Sequence, residues 1–381
     1  MKEYKYWPTG DIIRVVATFT VLFIHITQYS VRTSTSLDIA WWSLNIGQSL
    51  SIWAVPAFIM LSGALLLSPQ SLDESPLVFY KKRLLRIGIP LLFWGVVYFF
   101  LEKKWSPDIS LEYLIDDLWH GHISWHLYFL FAILGLYLLT PWLRLLIKKI
   151  STKREELILI IILLFITTCV DSYNQIFQLW KWHGTLRWVS YLGYYLVGRF
   201  LLCHTIDNIR IFIILSVTGL ISNIMGRYLE MLFQTGASGF FYSNLYSSVT
   251  VMIFSIGIFG MLIYLTKEIT ENSKIVKICR LLAPSTFGVY LVHILIGQEL
   301  HFRFNLQYPH DILIALIYTV ILNVSSMLLV YLIGLIPLFR FLVGCHTQRT
   351  LEDNKIYIFY LKKYFLGKLT RTSDEEISIK S

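Results

Sequence analysis

The feature that most constrains this chain is a succession of long apolar segments, each of a length that crosses a lipid bilayer. They lie at 12–30, 42–67, 85–101, 126–147, 156–170, 188–203, 209–226, 245–266, 285–302 and 312–336. Such lengths suit a hydrocarbon core of ~30 Å at a helical rise of ~1.5 Å per residue. A spanning β-barrel would instead show shorter segments of alternating polarity. The sequence therefore predicts an all-α polytopic membrane protein, a bundle of about ten transmembrane helices.

The composition agrees with a membrane protein. The 381 residues are 56% hydrophobic and only 15% charged, with a mean hydropathy of +0.61. A soluble domain of this length rarely reaches such values. No small-residue cleavage site follows the segment 12–30, so we expect a first transmembrane helix there rather than a cleaved signal peptide.

The basic residues predict the orientation of the helices. With a cytoplasmic N-terminus, 26 of the 33 Lys and Arg residues fall in cytoplasmic segments. Because such residues are enriched on the cytoplasmic side, we expect both termini to be cytoplasmic. The same bias explains the net charge of +9 without a nucleic-acid partner. We divide the chain into a membrane domain, 1–340, and a basic, aromatic cytoplasmic tail, 341–381, predicted to lie on the inner leaflet.

Neither the cysteines nor the histidine-rich outer loop predicts a metal site. The cysteines are far apart and form no C-x-x-C pair, so we expect them to pack as small apolar residues. They are Cys169, Cys203, Cys279 and Cys345.

The predicted outer loop contains three closely spaced histidines, His120, His122 and His126. Their spacing invites a metal interpretation, but the loop has no nearby cysteine and is aromatic-rich, which is typical of a membrane interface. Trp125 and Tyr128 there offer ring faces that suit a sugar.

Three ionisable residues on the first predicted helix are candidates for chemistry. Arg14 and His25 lie eleven residues apart, about 20° past three full turns, so they project from one face. Arg14 is placed near the cytoplasmic boundary and His25 ~16 Å deeper. Asp11 is spaced to pair with Arg14. One interpretation is a snorkelling arginine and a structural histidine. The other is catalytic, because imidazole is well suited to take a proton from a hydroxyl near neutral pH.

Two further positions are candidates inside or beside the predicted membrane helices. Arg83 and Arg86 share a helical face at the start of the third span, where two guanidinium groups can bind phosphates bidentately. The alternative is the positive-inside signal, which alone accounts for Lys81 and Lys82. His293 lies within the ninth span, and a lone intramembrane histidine is more often structural than functional.

Five short motifs, spread over residues 8–340, resemble those of the acyltransferase 3 family of integral membrane acyltransferases. They are D-x-x-R-x-x-A with a later histidine (Asp11, Arg14, Ala17, His25), a segment like P-x-F-F-x-x-S-G (Pro56 to Gly63, with Ser62), R-x-x-R before Pro90 and Trp94, H-L-Y-F-L before Pro141 (His126 to Leu130), and G-x-Y-x-x-H (Gly288 to His293). Tyr128 stands where the family usually has Trp. The layout is similar to that of the stand-alone members.

The resemblance implies an O-acyltransferase that uses acyl-CoA, in the first place acetyl-CoA, as its donor substrate and holds no bound cofactor. Arg14, Arg83 and Arg86 would hold the phosphates of the donor. His25 would act as general base on an acceptor hydroxyl or accept the acyl group as a relay.

The resemblance also implies supporting and acceptor-side residues. Asp11, Ser62 and His293 would support the site, and no metal is expected. Trp125, His126 and Tyr128 would form an acceptor side facing a cell-envelope glycan. This places the protein in a bacterial cytoplasmic membrane. Some members append an extracytoplasmic esterase-like domain. Where a relay to such a domain is needed, we expect a separate partner protein.

A transporter or exporter of a polysaccharide or small anionic solute is the alternative from another class. Ten helices with intramembrane Arg and His residues fit a conduit. The sequence shows no repeat between its halves and no paired Gly/Pro-broken helices, which weakens this alternative. Release of free CoA in the presence of a sugar acceptor discriminates the two. A purely structural protein would leave Arg14 and His25 without a role.

Overall fold

The described part of the chain is helical throughout its regular structure. The computed structural model describes residues 7–34, 36–102, 112, 116–117, 123–177, 187–204, 206–233, 246–304, 308–336 and 339–344. Its α-helices are α1 (Pro8–Thr33), α2 (Ile39–Ser51), α3 (Ala54–Leu66), α4 (Pro76–Arg83), α5 (Ile89–Glu102), α6 (Tyr128–Lys149), α7 (Lys153–Phe177), α8 (Leu192–Cys203), α9 (Ile209–Phe233), α10 (Val249–Thr266), α11 (Lys274–Leu282), α12 (Thr286–Phe304) and α13 (Ile312–Gly334). A π-helical turn, Leu84–Gly88, joins α4 to α5. Short 3-10 turns occupy Val189–Tyr191, Ala283–Ser285 and Arg340–Val343.

Nine helical segments in the described residues are long and apolar enough to cross a membrane. They are Pro8–Thr33, Ile39–Leu66, Pro76–Leu101, Tyr128–Lys149, Lys153–Tyr173, Ile209–Phe233, Val249–Thr266, Lys274–Phe304 and Ile312–Gly334. The predicted span 42–67 contains the break between α2 and α3, and the spans predicted at 85 and 285 begin earlier, at Pro76 and Lys274. This confirms the prediction of an all-α polytopic membrane protein.

The sixth predicted span is a shorter apolar helix, Val189–Cys203. It runs antiparallel to α7. His204, just after its end, lies 3.0 Å from a carboxylate oxygen of Glu156 near the start of α7, whereas Gly193 packs against Leu164 further along α7. This helix therefore returns the chain to the end of the bundle at which α7 began.

The two described ends of the chain lie at the same end of the bundle. The Thr266 hydroxyl, at the end of α10, donates to the Thr9 hydroxyl at the start of α1 over 2.7 Å. Ile12, near the start of α1, packs with Val276 and Cys279 of α11, which leads into α12. Near the last described residue, the carbonyl of Val343 lies 3.0 Å from the position of a Cβ added at Gly288, at the start of α12. We call the end at which α1 begins the basic end, and the end at which α1 finishes the opposite end. That the basic end faces the cytoplasm stays a prediction.

Side-chain caps fix where helices begin at the opposite end. Asp38 accepts a hydrogen bond from the backbone N–H of Trp41 at the start of α2, over 2.8 Å. Asp311 does the same for Leu313 at the start of α13, over 2.7 Å. Ser248 caps α10. These caps satisfy N–H groups that the first helical turn leaves without partners.

Two glycines let α3 and α8 cross with their backbones in contact. A Cβ atom added at Gly63 would overlap the backbone carbonyl of Tyr195, and one added at Gly198 would overlap that of Met60. Small residues at such crossings allow van der Waals packing between helices in a membrane, where the hydrophobic effect adds little to helix association. Gly63 belongs to the segment that carries Ser62, so this contact fixes the wall on which Ser62 stands.

Replacing either glycine should destabilise the bundle. Gly63→Ala or Gly198→Ala forces two backbones apart, and overpacking costs about 1–3 kcal/mol or more when the neighbour cannot rotate away. We expect a lower melting temperature in detergent for both variants, measured by size-exclusion chromatography after heating. Gly334→Ala is the matched control, since an added Cβ there meets no heavy atom within 4 Å. Equal melting of all three variants would contradict the close crossing.

The connection between α3 and α4 is held by charged side chains from two other helices. Arg144 of α6, which is buried, donates to the carbonyl of Leu66 over 3.0 Å and to the Glu74 carboxylate over 3.2 Å. Glu74 also accepts from Lys82 of α4 over 2.7 Å. Arg199 of α8 donates to the carbonyl of Leu67 over 3.0 Å. These contacts fix the start of α4 and so the position of its last residues.

The charge of Glu74 should contribute stability at neutral pH. Partial burial raises the pKa of its carboxyl. The hydrogen bonds and positive charges of Lys82 and Arg144 together lower the pKa by more than burial raises it, so it lies below its ordinary value. A lowered pKa stabilises the fold above the unfolded-state pKa of about 4.3, and this stabilisation is lost as the pH falls through the folded-state pKa.

Glu74→Gln should therefore lower the melting temperature at pH 7, and its difference from the unsubstituted protein should shrink as the pH falls below about 4. Melting curves across this pH range measure the difference. Glu299→Gln is the control, because the Glu299–Arg303 pair is exposed at the opposite end, and exposed pairs contribute little. A pH-independent difference for Glu74→Gln would contradict the role of its charge.

Candidate functional site

A cavity of about 180 Å³ runs from the basic end of the bundle into its interior. Seven of the predicted site residues line this basic-end cavity: Arg14, His25, Ser62, Arg83, Arg86, His126 and Tyr128. Arg14 and His25 come from one helix and lie eleven residues apart, so the cavity follows α1 over ~16 Å. A single passage thus connects the arginines with the imidazole of His25.

The three arginines form the outer part of this cavity. Arg14 donates to the Asp11 carboxylate over 2.6 Å, as the spacing of the two residues predicts. Arg83 lies with its guanidinium carbon 5.3 Å from the ring centroid of Phe79. Among the described residues, no carboxylate forms an ion pair with Arg83 or Arg86. Two cations without acidic partners, on the wall of a cavity, are suited to bind an anionic ligand.

The backbone that carries Arg83 and Arg86 is not a continuous α-helix. Arg83 ends α4, and Arg86 lies within the π-helical turn Leu84–Gly88. The sequence did not predict this turn. Such turns are rare and are found frequently at functional sites, where the local change in helical geometry redirects side chains.

Three histidines and a tryptophan meet at the inner end of the cavity. The ring of His25 stacks on that of His293 with centroids 5.0 Å apart, and it meets Trp125 edge-on at 4.6 Å. The His126 ring lies 5.5 Å from that of His293. These residues come from α1, from α12 and from the turn before α6, so only the folded bundle brings them together.

Each of these imidazoles keeps one buried ring nitrogen without a hydrogen-bond partner, namely Nδ1 of His25 and Nε2 of His126 and His293. Nδ1 of His293 lies 2.7 Å from the carbonyl of Tyr290, and because a carbonyl only accepts, this nitrogen carries the hydrogen. Nε2 of His293 is then a free acceptor in its neutral form. Such a cluster is equipped to move protons.

The cluster is not arranged as a metal centre. In the part of the chain that the structure describes, no group of three or more His, Cys, Asp or Glu residues is placed to hold a metal ion. His120 and His122 lie outside the described residues, as does Cys345.

A second cavity of about 290 Å³ lies on the other side of His25. It opens between α1, α12 and α13 and is lined by His25, Trp125, His293, Gln298, His301 and Tyr308, among others. We call it the opposite-end cavity. Of the described residues that line either cavity, His25 alone lines both. The imidazole thus stands at the junction between a passage from the basic end and a chamber toward the opposite end.

The three residues predicted on the acceptor side are divided between the cavities. Trp125, which is 52% exposed, lines the opposite-end cavity. His126 and Tyr128 line the basic-end cavity. The chain turns into the bundle at residues 124–127. This turn is closed by a 3.0 Å hydrogen bond from the Leu127 N–H to the Ser124 carbonyl. The adjacent residues Trp125 and His126 therefore face different chambers.

Sequence reasoning did not select Gln298, His301 or Tyr308. A signal for His301 is present, because His293, Gly297 and His301 follow one another at intervals of four residues and so fall along one side of a helix. Tyr308 comes from the segment before α13. No spacing links it to α12, and only the tertiary structure places it beside His301, with ring centroids 5.3 Å apart.

Comparison with known proteins gives one match. A sequence profile of the acyltransferase 3 family, described as an acyltransferase domain, matches residues 10–362 and ends within the predicted tail. No curated protein and no solved structure matches the chain. The match spans most of the chain and includes the arginines, the histidine cluster and both cavities. This chain belongs to the acyltransferase 3 family and is a membrane acyltransferase.

Proposed function

We propose that the protein is an O-acyltransferase that moves an acyl group, in the first place acetyl, from acyl-CoA to a hydroxyl of a cell-envelope glycan or other surface acceptor. The observation that carries the proposal is the position of His25, which lies where the two cavities meet. A transfer between ligands that enter from opposite ends requires one reactive group reachable from both.

The donor is assigned to the basic-end cavity. Coenzyme A carries several phosphate charges, and Arg14, Arg83 and Arg86 line this cavity. A volume of about 180 Å³ admits the narrow pantetheine arm but is below the ~300–1,000 Å³ of a site that encloses a whole cofactor-sized ligand. The nucleotide would therefore stay among the arginines while the arm carries the thioester toward His25.

The chemistry at the junction is an ester-forming displacement. The acceptor hydroxyl oxygen attacks the thioester carbonyl while His25 takes its proton. The new ester carbon–oxygen bond forms and the carbon–sulfur bond of the thioester breaks. The leaving thiolate takes the proton from His25 and departs as free CoA. In the relay variant of this scheme, His25 first accepts the acyl group and then passes it to the hydroxyl. Asp11, Ser62 and His293 are supporting residues in both.

The membrane position follows from the location of the two substrates. Acyl-CoA is cytoplasmic, so the basic end faces the cytoplasm, in agreement with the positive-inside rule. The opposite-end cavity then faces the envelope of a bacterial cell, where a glycan acceptor is found. A separate extracytoplasmic partner protein would be needed only where the acyl group travels beyond this acceptor.

His25→Ala should abolish acyl transfer. General acid–base catalysis contributes about 10²–10⁴-fold to rate, so CoA release from acetyl-CoA in the presence of acceptor should fall by that range. The purified variant should still fold, as judged by its melting temperature in detergent. His310→Ala is the matched control, since this exposed histidine lines neither cavity. Retained transfer in His25→Ala would refute the catalytic assignment.

Arg83→Ala and Arg86→Ala should each raise the KM for acetyl-CoA. A hydrogen bond to a charged group contributes about 1.5–3 kcal/mol, which corresponds to roughly tenfold or more. Steady-state kinetics with varied donor measure the change. Lys81→Ala is the matched control, because Lys81 is exposed in the same basic segment and lines neither cavity. Equal KM values in all of these variants would count against phosphate binding by the pair.

A conduit for a polysaccharide is the function that these experiments distinguish from acyl transfer. A transporter moves its solute without consuming a thioester, so purified protein with acetyl-CoA and a sugar would release no free CoA. The position of His25 between two differently lined cavities favours a reaction site over a continuous pore.

A further inference from the structure

The opposite-end cavity has a lining that defines the kind of acceptor it can take. We infer that this cavity binds an uncharged, hydroxyl-bearing ring and that it discriminates against anionic acceptors. The inference rests on the proposed function, since it assigns the acceptor of the same reaction to this cavity. The carrying observations are its aromatic walls, its amide, hydroxyl and imidazole groups without a described Lys or Arg, and a glycine that leaves room beside the histidines.

The aromatic walls come from three parts of the chain. The Tyr308 ring stacks on that of Tyr29, with centroids 4.1 Å apart, and lies 5.3 Å from that of His301. Trp125 also lines the cavity and lies edge-on to His25, with ring centroids 4.6 Å apart. Aromatic surfaces with a few placed polar groups are typical of small-molecule sites. A ring that packs against Trp125 would bring its hydroxyls next to the imidazole of His25.

The polar groups in the described lining are amide, hydroxyl and imidazole groups. Gln298 offers an amide donor and acceptor, and the tyrosines and histidines offer hydroxyl and imidazole groups. No Asp, Glu, Lys or Arg belongs to the described residues that line the cavity. Glu299 and Arg303 lie nearby on α12, but they pair with each other over 3.0 Å.

The described lining holds no Lys or Arg, and this favours neutral over acidic rings. A carboxylate moved from water into a partly enclosed site without a charged partner loses hydration that neutral groups do not restore. A hydroxyl loses less and finds partners such as Gln298. The basic-end cavity shows the contrast, because three arginines line it. The two chambers are thus matched to ligands of different charge.

Gly297 provides the space for the ring. It follows His293 by one helical turn on α12 and lines the opposite-end cavity. A Cβ added there would meet only the end of the Leu322 side chain, at 3.8 Å, which is ordinary contact. A larger side chain at this position would therefore extend into the cavity without moving the backbone.

Filling the cavity is the first test. Gly297→Leu should raise the KM for a sugar acceptor by roughly tenfold or more, while the KM for acetyl-CoA stays within about twofold. Gly334→Leu is the matched control, since an added Cβ there meets nothing within 4 Å and Gly334 lines neither cavity. Gly297→Ala, which adds only a methyl group, should raise the acceptor KM by less than Gly297→Leu does, because it fills less of the cavity.

The charge of the acceptor is the second test. The probes are a methyl hexopyranoside and the matching methyl hexuronide, and the readout is CoA release together with the ester product. We expect roughly tenfold or greater preference for the neutral sugar. Gln298→Arg supplies a cation to the lining and should reduce that preference by raising turnover of the uronide.

The outcomes separate the inference from the proposed function. Transfer that proceeds in Gly297→Leu with an unchanged acceptor KM would overturn the assignment of the cavity, while acyl transfer itself would stand. Equal use of the neutral and acidic sugars would overturn the charge selection. If neither sugar stimulates CoA release by the unsubstituted protein, the proposed O-acyltransferase function fails, and the inference fails with it.

Discussion

The structure depends on the high cost of placing ionisable side chains within a membrane. A charged group at the centre of a bilayer costs about 2.5–3.5 kcal/mol on insertion scales, so such groups are enclosed by other helices or face an aqueous cavity. Arg14 and His25 meet this requirement in one passage, since both line the basic-end cavity. The helices around them are arranged so that this passage is walled by protein. The opposite-end cavity, on the other side of His25, continues this enclosed space toward the opposite end of the bundle.

Close helix packing and buried ion pairs stabilise the helices that enclose this passage. The crossing of α3 and α8 at Gly63 and Gly198 sets the wall that carries Ser62. The contacts of Arg144 with Glu74 fix the segment that precedes α4, and Arg83 is the last residue of α4. Both sets of contacts decide where the arginines stand relative to the imidazole, and the proposed transfer requires that distance to match the length of a pantetheine arm.

The two cavities have different linings, so the two ends of the bundle differ in chemical character. Arginines line the basic-end cavity, whereas the described lining of the opposite-end cavity is rich in aromatic residues and contains no Lys, Arg, Asp or Glu. Under the proposed function, an anionic donor and a neutral acceptor bind on opposite sides of one histidine, and the chemical step takes place where the two cavities meet. The acyltransferase family match is consistent with that interpretation.

The sequence by itself determined the class of fold, the approximate spans and the alignment of Arg14 with His25, because bilayer thickness and helical periodicity act locally along the chain. The break within the span 42–67 and the π-helical turn at Leu84–Gly88 were not predictable, since both reflect packing against other helices. Only the tertiary structure decided that His126 and Trp125 face different chambers and that Tyr308 joins His301. Helical periodicity fixes which side chains share a face, whereas the crossing of distant helices fixes which faces enclose a common space.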